Sequence, residues 1–137
     1  MPANLLFYNF YKIHMKLNNI QQRTKTSPFL LFRTQQYLCA LPIKYVLETM
    51  RPLPINTITG VPNAIQGLSV IRGKPVPIVN LGVLLNGEEV HTTRFIVVQA
   101  GKNQVALAVE SIIGLYYFPT DTLKEIPLLL GNIDEHI

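Results

Sequence analysis

A single cysteine, Cys39, and three separated histidines, His14, His91 and His136, are all that this chain of 137 residues offers to thiol or imidazole chemistry. One cysteine cannot close an internal disulfide or supply a thiolate cluster, which excludes a disulfide framework and a structural zinc site and suits a reducing compartment. None of the histidines stands at a metal-ligand spacing from Asp, Glu or Cys, so they read as solvated. Cys39 lies within the apolar run Tyr37-Leu38-Cys39-Ala40-Leu41 and reads as a small core filler. Charged residues make up only 15% of the chain, and no apolar run approaches the roughly 18 to 20 residues of a membrane helix. Ile71-Arg72-Gly73-Lys74-Pro75 lacks the repeated glycines and following helix of a phosphate cradle and reads as a hairpin turn. Convergent acid, base or nucleophile groups are absent as well, so no enzyme, metal site or cofactor is expected. What is present is 48% apolar residues, many of them β-branched, punctuated by ten prolines and eight glycines, which fits one compact, mainly β domain.

The net charge of +4 points to nucleic acid or an anionic membrane until it is located along the chain. Residues 1–28 hold Lys12, Lys16, Arg23 and Lys25 with no acid, and the remaining eight basic residues are balanced by all eight acids. The body is therefore formally neutral, unlike a domain that grips phosphate with one basic face. Residues 1–28 read as a basic, disordered leader. Its early cluster Leu5, Leu6, Phe7, Tyr8, Phe10, Tyr11 and Ile13 precedes the basic residues, the wrong order for a secretory signal, and keeps to no single helical stripe. Neither nucleic-acid binding nor direct membrane insertion is expected of the body; a small β-barrel nucleic-acid binder acting through the basic leader is the alternative function.

From Pro28 onward, short extended runs alternate with turn chemistry: Phe29–Arg33, Tyr37–Leu41, Gly67–Ile71, Lys74–Asn80, Arg94–Ala100, Gln104–Val109 and Gly114–Phe118. Thr34-Gln35-Gln36, Arg72-Gly73 and Gly101-Lys102-Asn103 are short enough to close three antiparallel hairpins. Ile43, Val46, Leu47 and Met50 follow a three-four spacing that predicts two helical turns, ended by Pro52 and Pro54. Pro75 and Pro77 are two apart in one strand, so both missing N–H groups face one lateral side, which must be an edge or a bulge. The loop Asn86–Thr93 separates two half-domains, about 29–85 and 94–137, each small enough that they should pack on each other.

Four stretches carry a resemblance: Phe29-Leu30-Leu31-Phe32-Arg33; Leu41-Pro42-Ile43-Lys44-Tyr45-Val46-Leu47-Glu48; Val61-Pro62-Asn63-Ala64-Ile65-Gln66-Gly67; and Ile71-Arg72-Gly73-Lys74-Pro75-Val76-Pro77-Ile78-Val79-Asn80-Leu81. In order and spacing they resemble the CheW family of chemotaxis coupling proteins, and Phe95–Ala100 with Val105–Ile113 extends the likeness into the second half. The resemblance implies two packed, SH3-like five-stranded β-barrels and no catalysis. The second half is expected to be incomplete, because family members continue with another strand pair and a terminal helix. The resemblance further implies a cytoplasmic, non-enzymatic adaptor in two-component signal transduction. Its partners would be the regulatory domain of a chemotaxis histidine kinase and the cytoplasmic hairpin tip of a methyl-accepting receptor.

By motif position the resemblance assigns receptor or kinase binding to Val46, Glu48, Gly67 and Arg72. Each has a structural alternative. Val46 is equally a core residue, and Glu48 a solvated charge. Gly67 is equally a backbone requirement, and Arg72, with five N–H donors in a planar fork, a strut across the barrel gap. The chain departs from the family at Val70-Ile71, where asparagine-leucine precedes the arginine, and at Asn80, where the family carries aspartate.

Overall fold

The computed structural model describes residues 25–35 and 37–119. Most of the leader and the apolar segment around Pro127–Gly131 lie outside the described residues. The chain runs through β1 (Thr26–Thr34), β2 (Tyr37–Pro42), a 3-10 turn (Ile43–Tyr45), β3 (Val46–Met50), β4 (Ile65–Ile71), β5 (Lys74–Asn80), α1 (Leu81–Asn86), β6 (Arg94–Ala100), β7 (Asn103–Val109) and β8 (Ser111–Pro119). β1 thus begins within the expected leader, where Thr26–Pro28 pair with Pro119–Tyr117. The strands form a three-stranded sheet, β2-β1-β8, and a five-stranded sheet, β3-β6-β7-β5-β4. Both sheets draw strands from either side of the 86–93 loop, so the division between sheets does not coincide with that loop.

The three expected hairpins, β1–β2, β4–β5 and β6–β7, are all antiparallel. Arg72 and Gly73 both have positive φ (51° and 78°), the signature of the two-residue type I′ turn whose twist suits a hairpin. Gly101 (φ 63°) supplies positive φ at the first central position of the β6–β7 turn. The expected helix over Ile43–Met50 is not formed. One 3-10 turn covers Ile43–Tyr45, and Val46–Met50 is an edge strand against β6. β-branched Val46 and Thr49 favour extended backbone, and pairing with β6 secures it.

The apolar runs Phe95–Val98 and Val105–Val109 show no polar alternation because the central strands of the five-stranded sheet are covered on both faces. On one face Ile96, Val98, Ala100, Val105, Leu107 and Val109 meet Phe29, Phe32 and Leu41 of the three-stranded sheet. On the other, Phe95, Val97, Ala106 and Ala108 pack with Val76, Ile78 and Ile71 inside the curl of their own sheet. Successive residues therefore enter different cores, as the period-two alternation of a strand requires. Cys39 is buried opposite Phe32, and burial pushes its thiol up to about 12 despite the nearby positive charge of Arg33.

α1 was not evident from periodicity and is set by its ends. The Asn80 side chain accepts from the Val83 N–H at 3.1 Å, and Gly87 (φ 75°) closes the helix by donating to the Val83 carbonyl. Asn80 is fully buried and its Oδ1 also accepts from Val90 N–H at 3.4 Å, so one amide oxygen fixes both the helix start and the loop that returns beneath it. Asn80→Ala leaves both donors without that acceptor. It is expected to lower the unfolding free energy by about 1–2 kcal/mol in denaturant melts, whereas Asn80→Ser, which keeps an oxygen, loses less.

Candidate functional site

Two matching irregularities shape the edges of the five-stranded sheet. On β3, Val46 opposes Val98 and Glu48 opposes Val97, so Leu47 is an extra residue. Val98 belongs to the core between the sheets and Val97 to the core inside the curl. The bulge therefore passes the strand from one face to the other. Val46 packs against the inter-sheet core, while Met50, opposite Phe95, packs against the second core. Glu48 falls on that second face, near the rim. On β4, Ile65 opposes Val79 and Gly67 opposes Ile78, making Gln66 the extra residue with the same effect.

Gly67 is buried, with φ 148°, in a region that L-residues with side chains rarely occupy. A Cβ there would lie 2.2 Å from the Asn56 carbonyl oxygen. The missing side chain admits the segment that leaves β3: Asn56 N–H donates to Leu68 O at 2.8 Å, and Leu68 N–H donates back to Asn56 O at 2.9 Å. The buried Ser69 hydroxyl adds a bond to Pro54 O at 2.8 Å. Chain emerging from one edge strand thus covers the other edge of the same sheet.

Arg72, at the tip of the β4–β5 hairpin, completes this seam. Its Nε donates to Glu48 Oε2 at 2.7 Å and its Nη2 to Oε1 at 3.0 Å, a bidentate fork on a carboxylate. β3 and β4 stand at opposite ends of the strand order, so the pair ties together two edges that share no ladder. The hydrogen bond from Arg72, aided by its charge, holds the Glu48 carboxyl below the usual carboxylate range; the same bond raises the Arg72 guanidinium above its ordinary value. The Arg72 side chain is 78% exposed and that of Glu48 25%, so the fork is anchored at the rim and faces solvent on its outer side.

Of the four residues singled out in the sequence, Glu48 and Arg72 meet directly. Val46 lies on the same strand as Glu48 but faces the inter-sheet core, and Gly67 lies beneath Asn56. Sequence reasoning missed Pro54, Asn56 and Ser69, which seal the seam, although Pro52 and Pro54 signalled that the segment is not helical. Exposed Leu47 and Val70 are near Glu48 and Arg72 along the chain. Among the described residues no group of three or more His, Cys, Asp or Glu is arranged to hold a metal ion, and no helix is long and apolar enough to cross a membrane.

The family model described as CheW-like domain matches residues 28–137. Among curated proteins none matches significantly. Among solved structures, the crystal structure of the scaffolding protein TtCheW from Thermoanaerobacter tengcongensis is similar, with a TM-score of 0.65 and 21% identity over 71% of this chain and 68% of that one. At that identity the likeness is one of fold.

Gly67→Ala must displace the backbone of Asn56 as well as adopt an unfavourable φ. A loss of about 3 kcal/mol in chemical denaturation is expected, against about 1 kcal/mol or less for Ala at the open Gly73 turn if only φ mattered. The ion pair has its own pH signature. Because the folded-state carboxyl of Glu48 is depressed, the stability it contributes is fully present above the ordinary carboxylate pKa and disappears as pH falls through the depressed value. The stability gap between wild type and Glu48→Gln should therefore be flat from neutrality down to about pH 5 and close in acid. A gap that persists unchanged in acid would show that the charge is not its source.

Proposed function

This chain belongs to the CheW-like domain family, and on that premise we propose that it is a non-enzymatic adaptor that couples a methyl-accepting chemoreceptor to a chemotaxis-type histidine kinase. The observation that carries the reading is the anchored but exposed fork at Arg72. A guanidinium has five N–H donors, and its two bonds to Glu48 leave three to meet carbonyls or a carboxylate of a partner. Glu48 holds the fork in one orientation, which lowers the ordering cost that a free arginine would incur on binding. Val46 braces β3 against the inter-sheet core, and Gly67 seats the segment behind the pair; both act as positioning residues. In this reading Arg72 faces the receptor's cytoplasmic hairpin tip, the kinase's regulatory domain is held by the same body, and the protein works in the cytoplasm.

A pull-down with the full chain tests the proposal, using the kinase regulatory domain and a receptor hairpin tip as separate baits and a melt of each sample as a fold control. Wild type is expected to capture both. Arg72→Glu places two carboxylates at the seam and should weaken receptor capture about tenfold while melting remains cooperative. The exchanged variant, Glu48→Arg with Arg72→Glu, restores an ion pair without restoring the outward guanidinium at residue 72, and should remain weak. Recovery by the exchanged variant would make the pair a strut and remove Arg72 as a contact. A folded wild type that captures neither bait would overturn the adaptor reading.

A further inference from the structure

The other lateral side of the β4–β5 hairpin holds a feature that the seam does not use. β5 pairs with β4 from Lys74 to Val79 but with β7 only where Ile78, Val79 and Asn80 lie parallel to Ala106, Leu107 and Ala108. Before that point the two strands part around an open cleft of about 400 Å³. The prolines account for the parting. In a two-residue hairpin the pair flanking the turn, here Ile71 and Lys74, exchanges hydrogen bonds, so Pro75 and Pro77 turn their nitrogen positions away from β4 and toward β7. The β4 ladder loses nothing. Carrying the β5–β7 ladder one step further would need an N–H at residue 77 to donate to the Gln104 carbonyl, and Pro77 has none.

The same alternation applies to the β6–β7 hairpin. Ala100 and Asn103 flank its turn, so Gln104, one step on, points its backbone N–H and C=O away from β6 and into the cleft. Lys74 on one wall and Lys102 on the other supply positive charge, the two proline rings supply apolar surface, and no Asp or Glu lines the cleft. We propose that this wedge is a docking site for an acidic, extended segment of a partner protein, whose backbone pairs with Gln104 of β7 and whose carboxylates meet Lys74 and Lys102. Backbone pairing supplies the affinity that strand addition uses elsewhere, and the two lysines select the sign of the side chains. This site is separate from the Arg72–Glu48 seam and does not depend on the function proposed for it.

The probe is a rhodamine-labelled decapeptide of alternating glutamate and valine, titrated into the full chain by fluorescence anisotropy, with nitrogen-15 NMR shifts to locate it. Binding is expected, weakened by added salt, with the largest amide shifts at Gln104 and its strand neighbours. Lys102→Glu, at an exposed turn position, should weaken binding about tenfold without altering the melt, and the matching lysine-valine peptide should not bind. A glutamate-valine peptide N-methylated at alternate residues cannot complete the backbone pairing and should lose binding. Equal affinity of the methylated peptide, or of Lys102→Glu, would overturn the proposal. So would shifts confined to the basic residues before Thr26, which would mean attraction to the leader alone, or no binding by a folded chain.

Discussion

Strands β6 and β7 bury both of their faces, and the remaining elements are placed by the need to cover one sheet twice. The three-stranded sheet covers one face with Phe29, Phe32 and Leu41. The sheet covers the other itself, curling so that Val76, Ile78 and Ile71 close over Phe95, Val97, Ala106 and Ala108. A fully buried side chain of this kind contributes about 1.5–3 kcal/mol, so the repeated burial outweighs any single polar contact at the rim. Curling brings β3 and β4, the two ends of the strand order, to a common seam. There the bulges at Leu47 and Gln66 shift the parity of each edge strand, so that its inward positions pass from one core to the other along its length.

Polar interactions then collect where the apolar covering stops. Asn56 pairs its backbone with Leu68, Ser69 reaches Pro54, and Arg72 clasps Glu48. These contacts do not build the curl; they determine how its two edges meet. The arginine is held at a defined place on a rigid rim, with most of its surface toward solvent. Such a group suits recognition of a partner, since a CheW-like domain with a pre-positioned donor fork has less side-chain freedom to lose on binding.

Much of this was legible in the sequence because the strands and their turns are local. The bounds of Lys74–Asn80 and Arg94–Ala100 agree with the expected runs, and the three hairpins pair as expected, with Thr34 and Asn103 in their strands rather than in the turns. Ile43–Met50 was misread for a physical reason. Ile43 belongs to the 3-10 turn and Leu47, the extra residue of the bulge, is exposed, so the three-four spacing joins positions that share no single face. α1 escaped notice because its six residues are too few to show a period, and its signal lay in Asn80 and Gly87. Glu48 and Arg72 were identified through a family likeness. Their meeting depends on the curl of a sheet whose edges are far apart in strand order, which no local pattern encodes. The mainly β class and one five-stranded sheet agree with expectation; the second sheet has three strands among the described residues.

Glycine and proline give the β4–β5 hairpin opposite properties on its two lateral sides. On the β4 side, Gly67 removes a side chain and so admits a neighbouring segment close enough to hydrogen-bond. On the β5 side, Pro77 removes a donor and so ends a ladder that the register would otherwise extend. One side is sealed by the protein's own chain and the other is left as a wedge. Arg72 sits in the turn that joins them and Lys74 stands two residues away. A segment lying in the wedge and a partner meeting the arginine would therefore act on one short, rigid hairpin.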